Sequence, residues 1–331
     1  MNEKDIQRLT VSKDEVEEFI ANIHKYKNLV ELSLYNLRLT EFPKGICEMS
    51  NLKILDISCN KFTELPQEMR KLSKLEKLDL SVNPLKKIPS VVYELINLKE
   101  LVFWDSYLNE IPKDINKLCN LETLMLSRCK EFPKEILQLS SLKTLILTDT
   151  NIYEVPKEIE KLTDLQDLQL LSCGIVKLPV EIGNMINLER LILWENCIAD
   201  LPKEIDKLLN LQKINLFGNE LKEFPKQILK LNKLVEINFT SNMIKELPKG
   251  IGELCDLENL ELSYNKLTEI PSEIGKLNKL EVLVLDGNQL TDIPTELGKL
   301  KNLLILDLRD NKIKDLPEEI RQLPNLDELN I

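Results

Sequence analysis

Residues 257–277 read Leu257-Glu-Asn-Leu260-Glu-Leu262-Ser-Tyr-Asn265-Lys-Leu267-Thr-Glu-Ile270-Pro271-Ser-Glu-Ile274-Gly-Lys-Leu277. Leu260 and Leu262 are two residues apart, the spacing that puts both side chains on one face of a strand. Pro271 suits the first position of a helical turn, because its ring presets φ and its missing N–H has no partner there in any case. Ile274 and Leu277 follow at helical spacing. They close the unit from a return so short that a 3-10 segment or one to two α turns is expected. Asn265 stands between strand and return. Its amide is expected to point inward and to bond the backbone groups that the turn leaves unpaired.

The same stretch recurs along the chain. Units begin at Leu29, Leu52, Leu75, Leu98, Leu121, Leu142, Leu165, Leu188, Leu211, Leu234, Leu257, Leu280 and Leu303, and a partial unit at Leu326 ends the sequence. The period is 23 residues except between Leu121 and Leu142, where it is 21. A chain of 331 residues would ordinarily suggest two domains. A repeat array escapes that expectation, because each unit packs only on its neighbours and no central core limits growth. Stacked units predict a parallel sheet with strands about 4.8 Å apart, its inner face on the order of 60 Å long.

The pattern L-x-x-L-x-L-x-x-N/C-x-L resembles the leucine-rich repeat, and the resemblance covers residues 29–331. The second half, LPxxIxxLxN, is similar to the short repeats of leptospiral proteins and of plant and animal Ras-associated scaffold proteins. The repeats of both groups bind and do not catalyse. The resemblance implies an α/β solenoid, a right-handed horseshoe with a parallel concave sheet and short 3-10 or helical convex returns. Residues 1–28 are expected to cap thirteen full repeats and the partial strand unit that make up 29–331. Ser12-Lys-Asp-Glu15 reads as a capping box, and Val16, Phe19, Ile20 and Ile23 form a helical apolar stripe. An amphipathic cap helix is expected over residues 13–25. At the far end Leu326-Asp-Glu-Leu329-Asn-Ile331 stops in a strand, so an open sheet edge is expected there.

Framework residues specify such a fold; the variable strand positions specify what it does. Numbered from the first leucine of each unit, positions four and six point inward and positions three, five, seven and eight face out from the sheet. In columns five and seven the outer repeats carry mostly Ser, Thr, Asp and Asn. The fourth to ninth repeats instead carry Val102, Trp104, Met125, Ile146, Leu171, Ile192, Trp194 and Phe217, which include both tryptophans of the chain. Contiguous exposed apolar patches mark interaction sites, and Trp is the residue most enriched at energetic hot spots. The competing reading is that aromatic and β-branched residues simply favour strands. Charged residues flank the patch at Asp105, Arg128, Asp149, Arg190 and Glu195. The outward columns hold thirteen acids against five bases, a difference of −8 beside the chain's net −11. Such a surface suits a basic protein partner with apolar anchors, its charge raising the association rate more than the affinity. Solvated acids that keep a long solenoid soluble would give the same count.

At position nine the Asn column breaks in the fourth to seventh repeats, which carry Ser106, Cys129, Thr150 and Cys173. The two-residue deletion, between Cys129 and Phe132, falls in the same stretch and is expected to alter the local bend.

Several chemistries find no residues. His24 is the one histidine, so no histidine triad or histidine metal cluster can be built. No glycine-rich phosphate loop occurs, and no acid cluster has calcium-loop spacing. No enzyme, cofactor or metal is expected. A net charge of −11 is repelled by nucleic-acid phosphates and anionic membranes, and no stretch is apolar enough to insert into a bilayer. The seven cysteines are scattered, with no CxxC pair and no terminal clusters. That usage favours a reducing, cytoplasmic setting; secretion after removal of a signal peptide is the alternative. The function expected is protein binding on the concave face, as scaffold, adhesin or effector. The alternative is a structural protein that self-associates through the apolar patch or the open edge.

Overall fold

The computed structural model describes residues 7–105, 108 and 110–331; residues 1–6 of the expected cap and Ser106 of the ninth column lie outside them. The coils form two compact units, one ending at Asn151 and one running from Ile152 to Ile331.

The first unit holds the parallel strands β1 (Arg8–Thr10), β2 (Glu31–Ser33), β3 (Ile54–Asp56), β4 (Lys77–Asp79), β5 (Glu100–Phe103), β6 (Thr123–Ser127) and β7 (Thr144–Thr148). Each pairs with the next in chain order, and Leu32, Leu55, Leu78, Leu101, Leu124 and Leu145 fall on one line of register. The second unit holds β8 (Asp167–Leu171), β9 (Arg190–Ile192), β10 (Lys213–Asn215), β11 (Glu236–Asn238), β12 (Asn259–Glu261), β13 (Val282–Val284), β14 (Ile305–Asp307) and β15 (Glu328–Asn330). Its register line is Leu168, Leu191, Ile214, Ile237, Leu260, Leu283, Leu306 and Leu329. In both units positions one, four and six are buried leucines or their equivalents. Leu257, Leu260 and Leu262, for example, have no exposed surface. At about 25 cal/mol per Å² of apolar surface, these columns supply the main driving force for stacking.

The returns are five-residue 3-10 segments, as in Ser272–Lys276, with Ile274 and its counterparts fully buried. The proline stands one place earlier than the sequence predicts. Pro271 is extended, at φ −68° and ψ 143°, and its carbonyl accepts the N–H of Ile274 at 3.0 Å. Proline's preset φ serves an extended residue as well as a helical one, and the 3-10 turn then opens on the proline's own carbonyl.

The asparagine ladder behaves as expected. Asn60 Nδ2 donates to the carbonyls of Leu34, Ile57 and Ser58 at 2.7, 3.1 and 3.1 Å, and Oδ1 accepts the N–H groups of Leu37 and Leu39. Where the column breaks, other side chains take its place. Thr150 Oγ1 accepts from Cys129 N–H at 3.3 Å and donates to Thr148, and the Cys173 thiol donates to Leu171 at 3.2 Å. The shortened coil keeps register through five residue pairs, from Thr123↔Thr144 to Ser127↔Thr148, so the deletion is absorbed in the turn beyond the strand.

The N-terminal cap differs from the expected 13–25 helix. The α-helix α1 covers only Val16–Asn22, and Ile23–Tyr26 continue as a 3-10 turn. Glu15 Oε2 accepts the N–H and hydroxyl of Ser12, but the helix itself starts without a side-chain cap. Of the stripe, Phe19 is buried and Ile20 faces out. The reason is β1, a strand that the leucine pattern does not reveal. It pairs with β2, Arg8↔Glu31 to Thr10↔Ser33, so α1 acts as the return of an extra coil and needs one contact face only. Ile23 packs so closely on the next return that a Cβ at Gly45 would stand 2.5 Å from it. At the other end Glu318–Arg321 (α2) makes a short α return, and β15 pairs with β14 as the final strand.

Candidate protein-binding surface

Position eight of each of the thirteen repeats has a positive φ, between 50° and 66°, which turns the chain out of the strand and aims position nine inward. Only Gly218 and Gly287 there are glycine. The rest include Val82, Asp105, Arg128, Asp149, Glu195 and Tyr264. Side chains that L-residues rarely hold in this conformation are thereby thrown onto the strand face.

Column five does a job that composition does not show. Asp56 and Asp79 accept the N–H of Ser58 and Ser81, two residues on, at 3.0 and 2.9 Å. Asn215, Asn238 and Asp307 do the same for Phe217, Thr240 and Arg309. These side chains close an Asx turn at the end of a three-residue strand. Val102, Met125, Ile146 and Gln169 have no such acceptor geometry, and β5 to β8 run four or five residues where the neighbouring strands have three.

The eight apolar residues divide equally between the units, Val102, Trp104, Met125 and Ile146 in the first and Leu171, Ile192, Trp194 and Phe217 in the second. In the first, Val102 pairs with Met125 and Met125 with Ile146. Trp104 is 37% exposed and Met125 half-buried, while Val102 and Ile146, each 8% exposed, lie under their neighbours. In the second, Trp194 is 42% exposed and its ring lies 6.4 Å from that of Phe217 at 56°. Ile192 is half-buried beside them and Leu171 is buried. Each unit therefore presents one tryptophan over a partly covered apolar bed. Column eight adds apolar surface that columns five and seven did not reveal, Val82 at 42% and Tyr264 at 58% exposure; Tyr35, in column seven, is 52% exposed. The sequence signal was there in the eighth column.

The charge on this face is smaller than the residue count implies. All five bases are paired with acids of the same columns: Lys77 with Glu100 at 2.7 Å, Arg128 with Asp105, Arg190 with Asp167 at 3.5 Å, Lys213 with Glu236 at 2.7 Å and Arg309 with Asp307 at 2.5 Å. Glu31 is held by Arg8 at 3.0 Å. Glu195 accepts the hydroxyl of Ser172 at 2.7 Å, and Asp286 that of Ser263. Asp149 is exposed, with no ion pair shown. Burial pushes the carboxyls of Asp79, Asp167 and Glu261 above their ordinary range, with Asp56 and Glu236 adding repulsion at Asp79 and Glu261. Asp79 is engaged by its turn, Asp167 by the Gln169 side chain and Glu261 by the Asn238 side chain, before any of them serves a partner. Among the described residues no group of three or more His, Cys, Asp or Glu side chains is arranged to hold a metal ion, and no helix is long and apolar enough to cross a membrane.

The family model described as a leucine-rich repeat region matches residues 6–132, 92–177 and 179–286, and that of the leucine rich repeat matches 278–331. The chain belongs to the leucine-rich-repeat family. Its coils match those of a leucine-rich-repeat protein of Leptospira interrogans at 35% identity and a TM-score of 0.78, covering 98% of this chain and 90% of that one. A plant peptide hormone receptor, RGFR1, solved in complex with RGF2, is 31% identical with a TM-score of 0.69; the match spans 92% of this chain and 55% of the receptor. An internalin of Listeria monocytogenes shares the fold at 20% identity and a TM-score of 0.79, over 96% of this chain and 94% of that one. No curated protein matches the chain. Leucine-rich-repeat proteins are in general protein-interaction modules and typically non-enzymatic.

Proposed function

We propose that this leucine-rich-repeat protein binds a polypeptide partner on the outward face of its strands, with Trp104 and Trp194 as anchors. The observation that carries the reading is the exposure of both tryptophans, 37% and 42%, in columns where the outer coils carry mostly small polar residues. A strand-propensity explanation does not require an indole to remain in water. Trp194 and Phe217 form the stronger half, a pair of touching aromatic rings beside Ile192. In the first unit Trp104 and Met125 offer a smaller version, flanked by the Asp105–Arg128 ion pair. Asp149, Glu195 and Asp310 are exposed acids of this face without a basic partner among the described residues, so the partner is basic around apolar anchors. The plant receptor complex is consistent with a polypeptide ligand on such coils.

The test is affinity capture of the partner followed by titration with Trp104→Ala and Trp194→Ala. Each substitution is expected to weaken binding by about 2 kcal/mol, roughly thirtyfold, with the circular dichroism and unfolding midpoint kept. Unchanged affinity in both variants removes the site. If light scattering instead shows the chain pairing with itself, and the tryptophan variants restore the monomer, the same face serves self-association.

A further inference from the structure

Position nineteen, in the return, decides how closely consecutive coils approach on the side away from the strand face. Of the repeats that begin in the second unit, four have glycine there, Gly183, Gly252, Gly275 and Gly298, and the other three have Asp206, Leu229 and Arg321. In those four the following return lies against the glycine, and a Cβ on Gly252 would stand 2.5 Å from the carbonyl oxygen of Glu273. In the third repeat the same position is Tyr93, in the return Ser90–Glu94. A phenol ring stands where those four repeats carry only a hydrogen atom. Between this return and the next, Lys113–Lys117, a cleft of about 350 Å³ opens, lined by Lys86, Lys87, Ile88, Ser90, Tyr93, Glu110, Pro112 and Asp114.

Tyr93 is 3% exposed, and among the described residues its hydroxyl has no hydrogen-bond partner. Burial and the nearby Asp114 carboxylate, which lines the same cleft, push its pKa well above the ordinary phenol range, so it stays a neutral donor and acceptor. A buried polar group without a partner is rare and calls for an explanation. The lining charges cancel, Lys86 and Lys87 against Glu110 and Asp114, and all four residues are exposed at the rim. Asp114 is already held by Lys117 at 2.5 Å. The interior is thus apolar, from Ile88, Pro112 and the Tyr93 ring, with the neutral hydroxyls of Tyr93 and Ser90 as its hydrogen-bonding groups and balanced charge at the rim.

We infer that this cleft is a binding site for a small neutral amphiphile, an aromatic or aliphatic body carrying one hydroxyl-type head that pairs with the Tyr93 hydroxyl. Its volume lies at the lower end of small-molecule sites, and a few polar groups in an apolar lining are what fix a ligand's orientation. A charged head would lose its hydration beside Tyr93 without gaining a counter-charge. The site uses no residue of the strand face and stands independently of the partner reading.

The experiment titrates the full chain with p-cresol, followed by ligand-observed NMR, and with toluene as the same body lacking the head. Saturable binding of p-cresol is expected. Tyr93→Phe weakens it about fivefold or more and leaves toluene unchanged, because only the hydroxyl pair is lost. Ser90→Trp, at the rim, plugs the cleft and abolishes both, whereas Trp194→Ala alters neither. Binding that does not saturate, p-cresol affinity unaffected by Tyr93→Phe, or binding that survives Ser90→Trp overturns the assignment. If Tyr93→Phe does not fold, the Ser90→Trp titration decides alone.

Discussion

At the scale of single residues, the fold rests on side chains that satisfy backbone groups, and on some that do it at a cost. Asn265 donates to the carbonyls of Phe239, Leu262 and Ser263 and accepts the N–H of Ile244, all out of reach of water. Asn265→Ala orphans these groups and should lower stability by about 3 kcal/mol in urea unfolding. Asn265→Thr should cost less, since Thr150 fills the equivalent place with two bonds. Val82 is a β-branched residue at φ 53°, a conformation that costs an L-residue about 1–2 kcal/mol. Val82→Gly relieves that strain against the entropy a glycine adds to the unfolded chain, for a net gain of about 0.5–1 kcal/mol in the same assay. Asp79 carries a pH signature. Burial raises its folded pKa above the unfolded value, so the folded state holds this proton more tightly than the unfolded chain. The stability that follows is fully present below the unfolded pKa and is lost as pH rises through the folded one. Asn215 and Asn238 show that an amide closes the same turn. Asp79→Asn should therefore melt with the wild type near pH 3 and above it at pH 7; equal melting temperatures at both would show that the burial term is absent.

At the scale of elements, the strand and the return set the coil spacing by different means. Strand spacing is dictated by the backbone ladder and is uniform. Return spacing depends on what stands between the 3-10 segments. Gly252 lets its return close onto the backbone of the next, so Gly252→Ala must push Glu273 away and should cost about 2 kcal/mol, read as a lowered urea midpoint with an unchanged slope. A neutral effect would mean that the returns slide freely. Tyr93, at the same position, shows the opposite case, and its ring and unpaired hydroxyl follow directly from that spacing. Strand length varies for a local reason as well. Asx side chains in column five close three-residue strands, and the strands of Val102, Met125, Ile146 and Gln169 run longer, although β9 and β13, with Ile192 and Val284 there, stay at three residues. The lengthened strands β5 to β8 overlap the first part of the proposed anchor region, whereas β9 and β10, beside Trp194 and Phe217, keep three residues.

At the scale of the whole molecule, stability is a sum of coils and their nearest-neighbour contacts. In the second unit the column breaks once, at Cys173, and then runs as asparagine from Asn196 to Asn311 with bonds at each step, whereas the first contains both Cys129 and Thr150 in that column. The single tryptophan of each unit is a natural probe. Single-tryptophan variants, Trp194→Phe reporting on the first unit and Trp104→Phe on the second, should give a lower urea midpoint for the first. Coincident midpoints would show one cooperative transition across the chain.

The 23-residue spacing by itself determined the repeat architecture, its strands, its short returns and its inward asparagines, because a coil that buries Leu260, Leu262, Ile274 and Leu277 together has few other ways to close. The proposed surface shows in the sequence as a change of residue type in two columns, and in each unit the tryptophan is exposed. Three features were decided only by tertiary structure. β1 carries no leucine signature of its own and becomes a strand because β2 offers a free edge. The column-five acids look like surface charge in the sequence, yet half-burial and the N–H two residues on make them turn closers. Leu171 shares the column of the tryptophans, and Val102 and Ile146 the other outward column of the patch, but all three end up covered. Exposure at a strand position depends on the bulk of the side chains in the flanking coils, 23 residues away in sequence and about 5 Å away in space.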